Sequence, residues 1–487
     1  MASAAAVRPG GYGPPLEITD LPAPPSPLTT RRILAIIGPS VIALGGTIGS
    51  GEWLIGPSLF VKWGLALLWI TSVSAVLQTF LNIEFARYTL YTGEPVTVGY
   101  MRLAPGGWFW GTLYSVVGFL ERGLPGWAFA AATALGAFFL SRIPGDADRS
   151  FVLTLGYFTF LLCVVLVSFG RRIERTLEWA NWIMMLVVIG GLFILDLFLV
   201  PARVWGEGLI GFVRFGYVPA GVEVLLLGAL VGYSAYGGFG NNAISNWYRD
   251  KGFGMGETVG YIPAAVGGAR VKVSPAGKAP DATPGNLASW RTWFRLMLID
   301  QWWVFFLGAM LGMYLPGILY RGLVPLGTDL PRWGVASFIG EKIGAGIWGI
   351  YLAAFFGFWI LFSTQLSNVD LVARQVTDML WSRLEGVRRW AKEDIRRVYY
   401  VLLVIFVVWG AFFIGFRFPL FLVALSANMA NFTMALSAVL TIILNRKFLP
   451  REFRPSVWRE LALGANVLFF GFFFVFFVIN LPVILRR

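Results

Sequence analysis

The chain has 487 residues, of which 57% are hydrophobic and only 13% are charged. A soluble domain carries about 25% charged residues, so this composition excludes an ordinary soluble enzyme and indicates an integral membrane protein. There is no histidine and only one cysteine, Cys163, so structural zinc and iron–sulfur sites lack ligands and proton-linked chemistry falls to carboxylates. We expect no cofactor.

Eleven apolar segments, called spans 1 to 11 below, are long enough to cross a bilayer, which takes about 20 residues. In chain order they are 33–59, 63–91, 108–140, 151–169, 178–200, 222–248, 292–320, 345–381, 398–415, 417–445 and 457–484. The preceding residues 1–30 are rich in proline and glycine, which predicts a disordered cytoplasmic tail and not a signal peptide.

Basic residues concentrate in alternate loops, and this bias predicts a cytoplasmic N-terminus in a plasma membrane of the bacterial type. The loops assigned to the inside include Arg31, Arg32, Arg171, Arg172, Arg249, Lys251, Arg388 and Arg446, whereas the sparser outside loops include Arg142, Arg149, Arg332 and Arg417. Topology and anionic lipid therefore account for the net charge of +13, and no nucleic-acid partner is implied.

Span 1 is interrupted at its centre by small residues. It contains the sequence Gly45-Gly46-Thr47-Ile48-Gly49-Ser50-Gly51-Glu52. Each glycine inside a helix costs roughly 0.5–1 kcal/mol relative to alanine, and backbone freed from a helix in hydrocarbon must be satisfied by protein or by water in a cavity. We predict a helix broken near the bilayer centre, with Glu52 as a functional carboxyl at the break. The alternative is that the glycines only allow close helix packing.

Span 6 repeats this feature. Its apolar run through Tyr233-Ser234 leads into Tyr236-Gly237-Gly238-Phe239-Gly240-Asn241, after which helix-like residues resume. Interrupted helices that stand five spans apart are typical of an inverted repeat with the substrate site between the breaks. The sequence therefore predicts an all-α polytopic membrane protein with a LeuT-like five-plus-five inverted repeat and an eleventh helix.

This architecture divides the chain into parts. They are the tail 1–30, the first repeat 31–200, the broken helix 201–249, a cytoplasmic loop 250–291, the rest of the second repeat 292–448, and the eleventh helix with the C-terminus 449–487. Within the loop, the alternating residues 269–273 could form a short strand.

Several stretches resemble one known family. They are Gly38-Pro39 followed by Gly49-Ser50-Gly51-Glu52, span 2 from Leu67 through Gln78 to Gly93, Gly170-Arg171 with Glu174, and Ser426-Ala427-Asn428 in span 10. In these stretches the chain resembles the Nramp family of proton-coupled divalent-metal transporters. The resemblance implies a transporter and not an enzyme, a symporter that moves a divalent metal cation together with H⁺ across the lipid bilayer.

The most specific motifs of that family are altered in this chain. The family's metal-binding Asp and Asn of span 1 fall on Gly49 and Glu52, and its Met-Pro-His of span 6 falls near Tyr236. Its carbonyl ligand falls near Tyr233, and its amide ligand falls on Asn428. The resemblance thus leaves Glu52, Tyr233 and Asn428 as an all-oxygen metal set, which suits a hard cation such as Mg²⁺ or Mn²⁺.

The same residues also suit a small polar organic solute. The residues Thr47-Ile48-Gly49-Ser50-Gly51 are similar to the Gly-Ser-Gly turn of amino-acid permeases, whose N–H groups hold a substrate carboxylate. A LeuT-like carrier of a solute such as an amino acid is therefore the alternative, with Glu52 facing an amine or carrying a proton. For either substrate the predicted site consists of Gly49, Ser50, Gly51, Glu52, Tyr233, Ser234, Tyr236, Gly237, Asn241 and Asn428.

Two further sets of charges lie within spans. Glu121 and Arg122 in span 3 are near the place where the Nramp family keeps acidic residues, so we predict a proton pathway through Glu52, Glu121 and Arg122, with a static ion pair as the alternative. Asp300 in span 7 and Asp370 in span 8 are also deep, and Asp370 could hold a coupling ion or line an inner vestibule.

Overall fold

The computed structural model describes residues 7–30, 33, 37–169, 172–331, 335–416 and 419–486. Some residues used above lie outside the described residues. They are Arg31, Arg32, Arg171, Arg332 and Arg417 of the basic pattern and Gly170-Arg171 of the family resemblance.

Nine helices in the described part of the chain are long and apolar enough to cross a membrane. They are Leu65–Thr92, Gly107–Leu140, Asp146–Ser168, Ile173–Leu199, Pro284–Leu323, Ile347–Arg383, Ile395–Phe413, Pro419–Phe448 and Val457–Ile484. These helices coincide with spans 2–5 and 7–11, because a backbone in hydrocarbon satisfies its own polar groups only as a helix. The prediction of an all-α polytopic membrane protein is confirmed.

The individual helices are numbered in chain order. They are α1 (Pro39–Thr47), α2 (Gly56–Trp63), α3 (Leu68–Thr92), α4 (Val96–Tyr100), α5 (Gly107–Arg122), α6 (Gly126–Leu140), α7 (Arg149–Ser168), α8 (Ile173–Leu199), α9 (Ala202–Gly211), α10 (Val224–Tyr233), α11 (Gly238–Lys251), α12 (Gly256–Val259), α13 (Pro284–Ile299), α14 (Leu307–Leu323), α15 (Val335–Phe338), α16 (Ile347–Arg383), α17 (Glu385–Trp390), α18 (Ile395–Phe413), α19 (Pro419–Phe448) and α20 (Val457–Arg486). Two π-helical turns, Gly51–Ile55 and Asp300–Phe306, and four 3₁₀ turns, Leu65–Leu67, Asp146–Asp148, Ile339–Glu341 and Arg451–Phe453, lie between them.

Spans 1 and 6 are not continuous helices. In span 1, α1 ends at Thr47 and α2 begins at Gly56, with the π-helical turn between them. In span 6, α10 ends at Tyr233 and α11 begins at Gly238. Both spans are therefore interrupted where the glycines lie.

The interrupted spans are enclosed by the long helices. The 37-residue α16 packs against α1, α6 and α18. The helix of span 10, α19, packs against both halves of span 6, α10 and α11, and against α20. By contrast α20 leaves large apolar side chains exposed, such as Leu461 and Leu468, as expected of a peripheral helix that faces lipid.

The N-terminal tail differs from the expectation of disorder. It contributes two short strands, β1 (Val7–Arg8) and β2 (Leu16–Ile18), to a three-stranded sheet with β3 (Lys278–Ala279). In this sheet β1 and β2 are antiparallel, and β2 and β3 are parallel. In the loop 250–291, the strand is β3 and not the expected residues 269–273, which have no strand structure.

The tail is ordered because other parts of the chain satisfy its backbone. Arg102 donates to the carbonyls of Gly10 and Pro14 at 2.9 and 2.6 Å, and Arg383 donates to the carbonyl of Tyr12 at 2.6 Å. Arg102 also forms a buried ion pair with Glu94, at 2.5 Å. Burial raises the pKa of Glu94, but the guanidinium of Arg102 together with hydrogen bonds from Gly277 and Tyr88 keeps the pKa below its ordinary value.

Candidate substrate site between two interrupted helices

The break in span 1 is a short turn followed by a π-helix. Helix α1 ends because Ile48 leaves helical geometry, with φ −71° and ψ 83°. The chain resumes with Trp53 donating to the carbonyl of Gly49 at 2.8 Å, and residues Gly51–Ile55 are wound as a π-helix. Such single π-helical turns occur frequently at functional sites.

Glu52 lies in this π-helical turn and is completely buried. Its Oε2 accepts a hydrogen bond from the backbone N–H of Gly49 at 3.1 Å, and its own backbone N–H is also near the carboxyl group. The other oxygen, Oε1, has no hydrogen-bond partner among the described residues. A buried carboxyl oxygen without a partner is costly in the absence of a proton or a bound cation.

The two breaks are in direct contact. A Cβ atom at Gly51 would overlap the carbonyl oxygen of Tyr233, at the end of α10, and a Cβ at Gly46 would overlap the ring of Tyr236. Gly49 faces α16 instead, where a Cβ would overlap the hydroxyl of Thr364. Spans 1 and 6 therefore meet through Gly46 and Gly51. The span 1 glycines allow this close packing as well as lying at the interruption of the helix, and the functional role of Glu52 stays a prediction.

The break in span 6 needs glycine for its conformation. Gly237 and Gly238 have φ of 84° and 45°, in the left-handed region that other residues rarely adopt. Side chains from other helices accept hydrogen bonds from two of the backbone N–H groups at this break. Gln78 accepts from the N–H of Gly237 at 2.8 Å, and Glu121 accepts from the N–H of Phe239 at 2.9 Å.

The remaining residues of the predicted site face different neighbours. Ser234 is 3.1 Å from the hydroxyl of Thr71 in α3, and Asn241 donates to Asn82 of α3 at 2.8 Å. Asn428 donates at 2.8 Å to the carbonyl of Leu225, near the start of α10. Its amide therefore contacts the beginning of α10, about two turns before the break.

The deep acids of spans 7 and 8 have partners. Asp300 accepts from the hydroxyls of Ser40 and Tyr248, at 2.6 and 2.5 Å. The two oxygens of Asp370 accept from Arg374 at 2.8 and 2.9 Å, and Tyr399 donates to the same carboxylate at 2.6 Å. Asp370 is therefore neutralised by an arginine of its own helix.

Sequence reasoning missed two buried amides in helices that pack against these spans. Gln78 in α3 holds the N–H of Gly237, and Gln365 in α16 is completely buried with neither amide atom hydrogen-bonded within the described ranges. A polar amide inside an apolar span was the available signal in each case, since such a group requires a partner.

Metal ligation by acidic clusters is not a feature of this site. Within the part of the chain that the structure describes, no group of three or more His, Cys, Asp or Glu side chains lies close enough together to hold a metal ion. A metal bound at the break in span 1 would rely on Glu52 together with neutral oxygens.

No protein-family model and no curated protein sequence matches the chain, but solved structures do. A mutant of the manganese transporter of Eremococcus coleocola matches with a TM-score of 0.65 at 14% identity, over 95% of this chain and 94% of that chain. The same transporter in complex with an aromatic bis-isothiourea substituted compound matches with a TM-score of 0.62 at 14% identity, over 95% and 89%.

A third structure is Mhp1, a nucleobase-cation-symport-1 family transporter, in a closed conformation with bromovinylhydantoin bound. It matches with a TM-score of 0.52 at 13% identity, over 93% of this chain and 92% of that chain. The chain therefore has the LeuT-like fold that these membrane transporters share, as its two interrupted spans predict.

Proposed function

We propose that this protein is a secondary active transporter that moves a divalent metal cation across the membrane by alternating access. The observation that carries the proposal is Glu52, a fully buried carboxyl with one unpartnered oxygen at the point where spans 1 and 6 meet. In this fold, substrates bind between the interrupted helices near the bilayer midplane.

The neighbouring donors support a hard cation. The carbonyl oxygen of Tyr233 lies against Gly51, and the hydroxyl of Thr47, at the end of α1, is buried without a hydrogen-bond partner in the described chain. Together with Glu52 these groups offer only oxygen for a metal, the ligand type that Mg²⁺ and Mn²⁺ prefer. In the predicted ligand Asn428, the amide nitrogen donates to the carbonyls of Leu225 and Ala424, and the amide oxygen has no hydrogen-bond partner in the described chain.

Proton coupling is part of the same proposal. With no histidine in the chain, a carboxyl has to carry the proton, and the unpartnered oxygen of Glu52 is available for one. A proton and a metal ion would then exclude each other at Glu52. We also propose the orientation that the basic loops favour, with the N-terminus in the cytoplasm of a bacterial-type cell.

An organic solute remains the competing substrate, and one contact argues against an amino acid. A carrier of amino acids needs a half-helix N-terminus for the substrate carboxylate. At the span 1 turn that resembles the permease turn, the N–H of Gly49 is already bound by the carboxylate of Glu52.

The test is substrate binding and uptake by the purified protein. Calorimetry with Mn²⁺, Mg²⁺ and a panel of amino acids, followed by uptake into proteoliposomes with and without a proton gradient, compares the two substrate classes. We expect binding of Mn²⁺ or Mg²⁺ that weakens on acidification. Binding of an amino acid without any metal binding would establish the alternative and overturn the metal proposal.

A further inference from the structure

A second charged feature lies against the break in span 6. It consists of the adjacent residues Glu121 and Arg122, which stand at the end of α5 in span 3. Their side chains are 0% and 2% exposed, and Arg122 Nε donates to Glu121 at 3.0 Å. An arginine at membrane depth is expensive and is kept only where partners compensate it.

Each member of the pair binds backbone groups whose partial charge is opposite to its own. Arg122 Nη2 donates to the carbonyls of Tyr236, at 2.9 Å, and of Gly237. The carboxylate of Glu121 accepts from the N–H of Phe239, the first turn of α11. Free carbonyls attract cations and the N-terminus of a helix attracts anions, so these are the two positions at which external ions would otherwise bind.

Glycines make the space that the pair occupies. A Cβ at Gly240 would lie 2.6 Å from Arg122 Nη2, and a Cβ at Gly238 would overlap Oε2 of Glu121. The guanidinium also stacks near two aromatic rings, with Cζ at 4.9 Å from the ring centroid of Tyr233 and 5.3 Å from that of Tyr236. The glycine-rich sequence of span 6 is thus matched to this arginine.

Neighbouring spans hold both charges in place. Thr433 of α19 donates to Glu121 at 2.7 Å, and Arg122 Nη1 donates to Asn368 of α16 at 3.3 Å. The pair therefore connects spans 3, 6, 8 and 10 through buried, charge-assisted hydrogen bonds, which are about twice as strong as neutral ones.

We propose that Glu121 and Arg122 are a resident ion pair that determines the specificity of the site. The guanidinium takes the place of a bound monovalent cation at the span 6 carbonyls, and the carboxylate takes the place of a bound anion at the N-terminus of α11. The break in span 6 then accepts no external ion, and selection of the substrate is left to Glu52. The specificity claim rests on the proposed transport function, whereas the ion-replacement claim does not.

Chemical rescue tests the replacement. Arg122→Ala empties the position at the carbonyls of Tyr236 and Gly237. We expect low-millimolar guanidinium chloride to raise the unfolding temperature of purified Arg122→Ala by about 2 °C relative to choline chloride at equal ionic strength, and to leave the wild-type protein unchanged. Arg122→Gln, which keeps more of the side-chain volume, is the second variant if Arg122→Ala does not fold, and it is expected to be stabilised by guanidinium as well, but by less, because its amide fills part of the position.

The matched control is Arg142→Ala. Arg142 also forms an arginine–carboxylate pair, with Asp148 at 2.7 Å, but its side chain is 56% exposed and the pair lies in a loop. Guanidinium should therefore not stabilise this variant. A response in Arg142→Ala equal to that of Arg122→Ala, or no response in either Arg122 variant, would overturn the resident pair.

Uptake experiments separate this proposal from its competitors. If wild-type protein transports Mn²⁺, guanidinium should restore part of the uptake lost in Arg122→Ala, and Glu121→Gln should reduce uptake without changing its pH profile. A pH profile that becomes flat in Glu121→Gln would support the predicted proton pathway and refute the resident pair. Failure of the wild-type protein to transport any metal would refute the proposed function, while the thermal test of the pair would still stand.

Discussion

The two interrupted helices face each other but differ in how their polar groups are satisfied. In span 1, Glu52 has one carboxyl oxygen without a hydrogen-bond partner in the described structure. In span 6, Gln78, Glu121 and Arg122 bind the backbone groups around Gly237. Since both breaks are glycine-rich, composition alone does not indicate which one is available to a ligand. The difference lies in the side chains, which bind the backbone groups in span 6 but leave the oxygen of Glu52 in span 1 without a partner.

Glycine also serves different purposes in the two breaks. In span 1, Gly46 and Gly51 are required because neighbouring atoms occupy the space of a Cβ. In span 6, Gly237 and Gly238 are required first by their positive φ. Substitutions of the span 1 glycines should therefore act by crowding atoms of span 6. They test the contact between the breaks more directly than substitutions of Gly237 or Gly238, which would also strain the backbone.

The largest expected effect comes from removing the open carboxylate. Glu52→Gln should reduce metal uptake to background and abolish its dependence on a proton gradient, because an amide neither neutralises a divalent cation nor carries a proton at physiological pH. The fold should persist, since the amide oxygen can still accept from Gly49. The measurement is uptake into proteoliposomes at several pH values, with circular dichroism to monitor folding.

A matched control for that experiment is Glu223→Gln. Glu223 precedes α10, and its side chain is 46% exposed and lies 3.6 Å from Lys62. Neutralising this exposed carboxylate should leave uptake close to the wild-type level. Wild-type uptake by Glu52→Gln at every pH would instead show that the open oxygen in span 1 has no role, and the contrast between the two breaks would lose its functional meaning.

Crowding at the contact between the breaks should have the next largest effect. In Gly51→Ala the added methyl group would overlap the carbonyl of Tyr233, and overpacking of this kind costs about 1–3 kcal/mol. We expect a lower unfolding temperature and a strong loss of uptake. Gly51→Leu should stop transport completely, while the other helices still pack.

Gly190→Ala is the control, because Gly190 lies in the helix of span 5 and a Cβ there would meet no atom within 4 Å. This variant should keep both its unfolding temperature and its uptake. If Gly51→Ala matches Gly190→Ala in both measurements, the close approach of spans 1 and 6 at Gly51 is incorrect.

The sequence predicts the fold well because the bilayer imposes simple constraints. A long apolar run must be helical, so nine spans follow from length and composition. The interruptions follow from runs of glycine near Gly49 and Gly237, which disfavour a continuous helix. Both signals are local, and each can be recognised without knowing which helices become neighbours.

The side chains that hydrogen-bond the backbone groups at the breaks could not be predicted in the same way. The hydrogen bond from Arg122 to the carbonyl of Tyr236 joins residues 114 positions apart, so nothing in the local sequence of span 6 reveals it. The order of the N-terminal tail could not be predicted for the same reason. Its proline and glycine content is typical of disorder, but Arg102 and Arg383, from distant parts of the chain, bind its carbonyls.

The smallest expected effect concerns metal selectivity at the contact between the breaks. The ring of Tyr236 lies against Gly46 and stacks on Trp247 with ring centroids 6.0 Å apart, and its hydroxyl has no hydrogen-bond partner in the described ranges. Tyr236→Met would place a thioether there in a site that otherwise offers only oxygen. Soft metals prefer sulfur ligands, so Cd²⁺ affinity should rise on the order of tenfold with little change for Mg²⁺.

Calorimetry with Cd²⁺ and Mg²⁺ on the wild-type protein and on Tyr236→Met measures this change in selectivity. Tyr351→Met is the control, because the hydroxyl of Tyr351 lies 2.8 Å from that of Ser141, near the start of α16 and in a different part of the fold from the breaks. A methionine there adds the same thioether without access to Glu52. Equal Cd²⁺ affinities in the two variants would mean that position 236 does not face the bound cation. The substrate would then lie on the side of Glu52 that faces away from span 6, and the break held by Glu121 and Arg122 would serve only to position the helices.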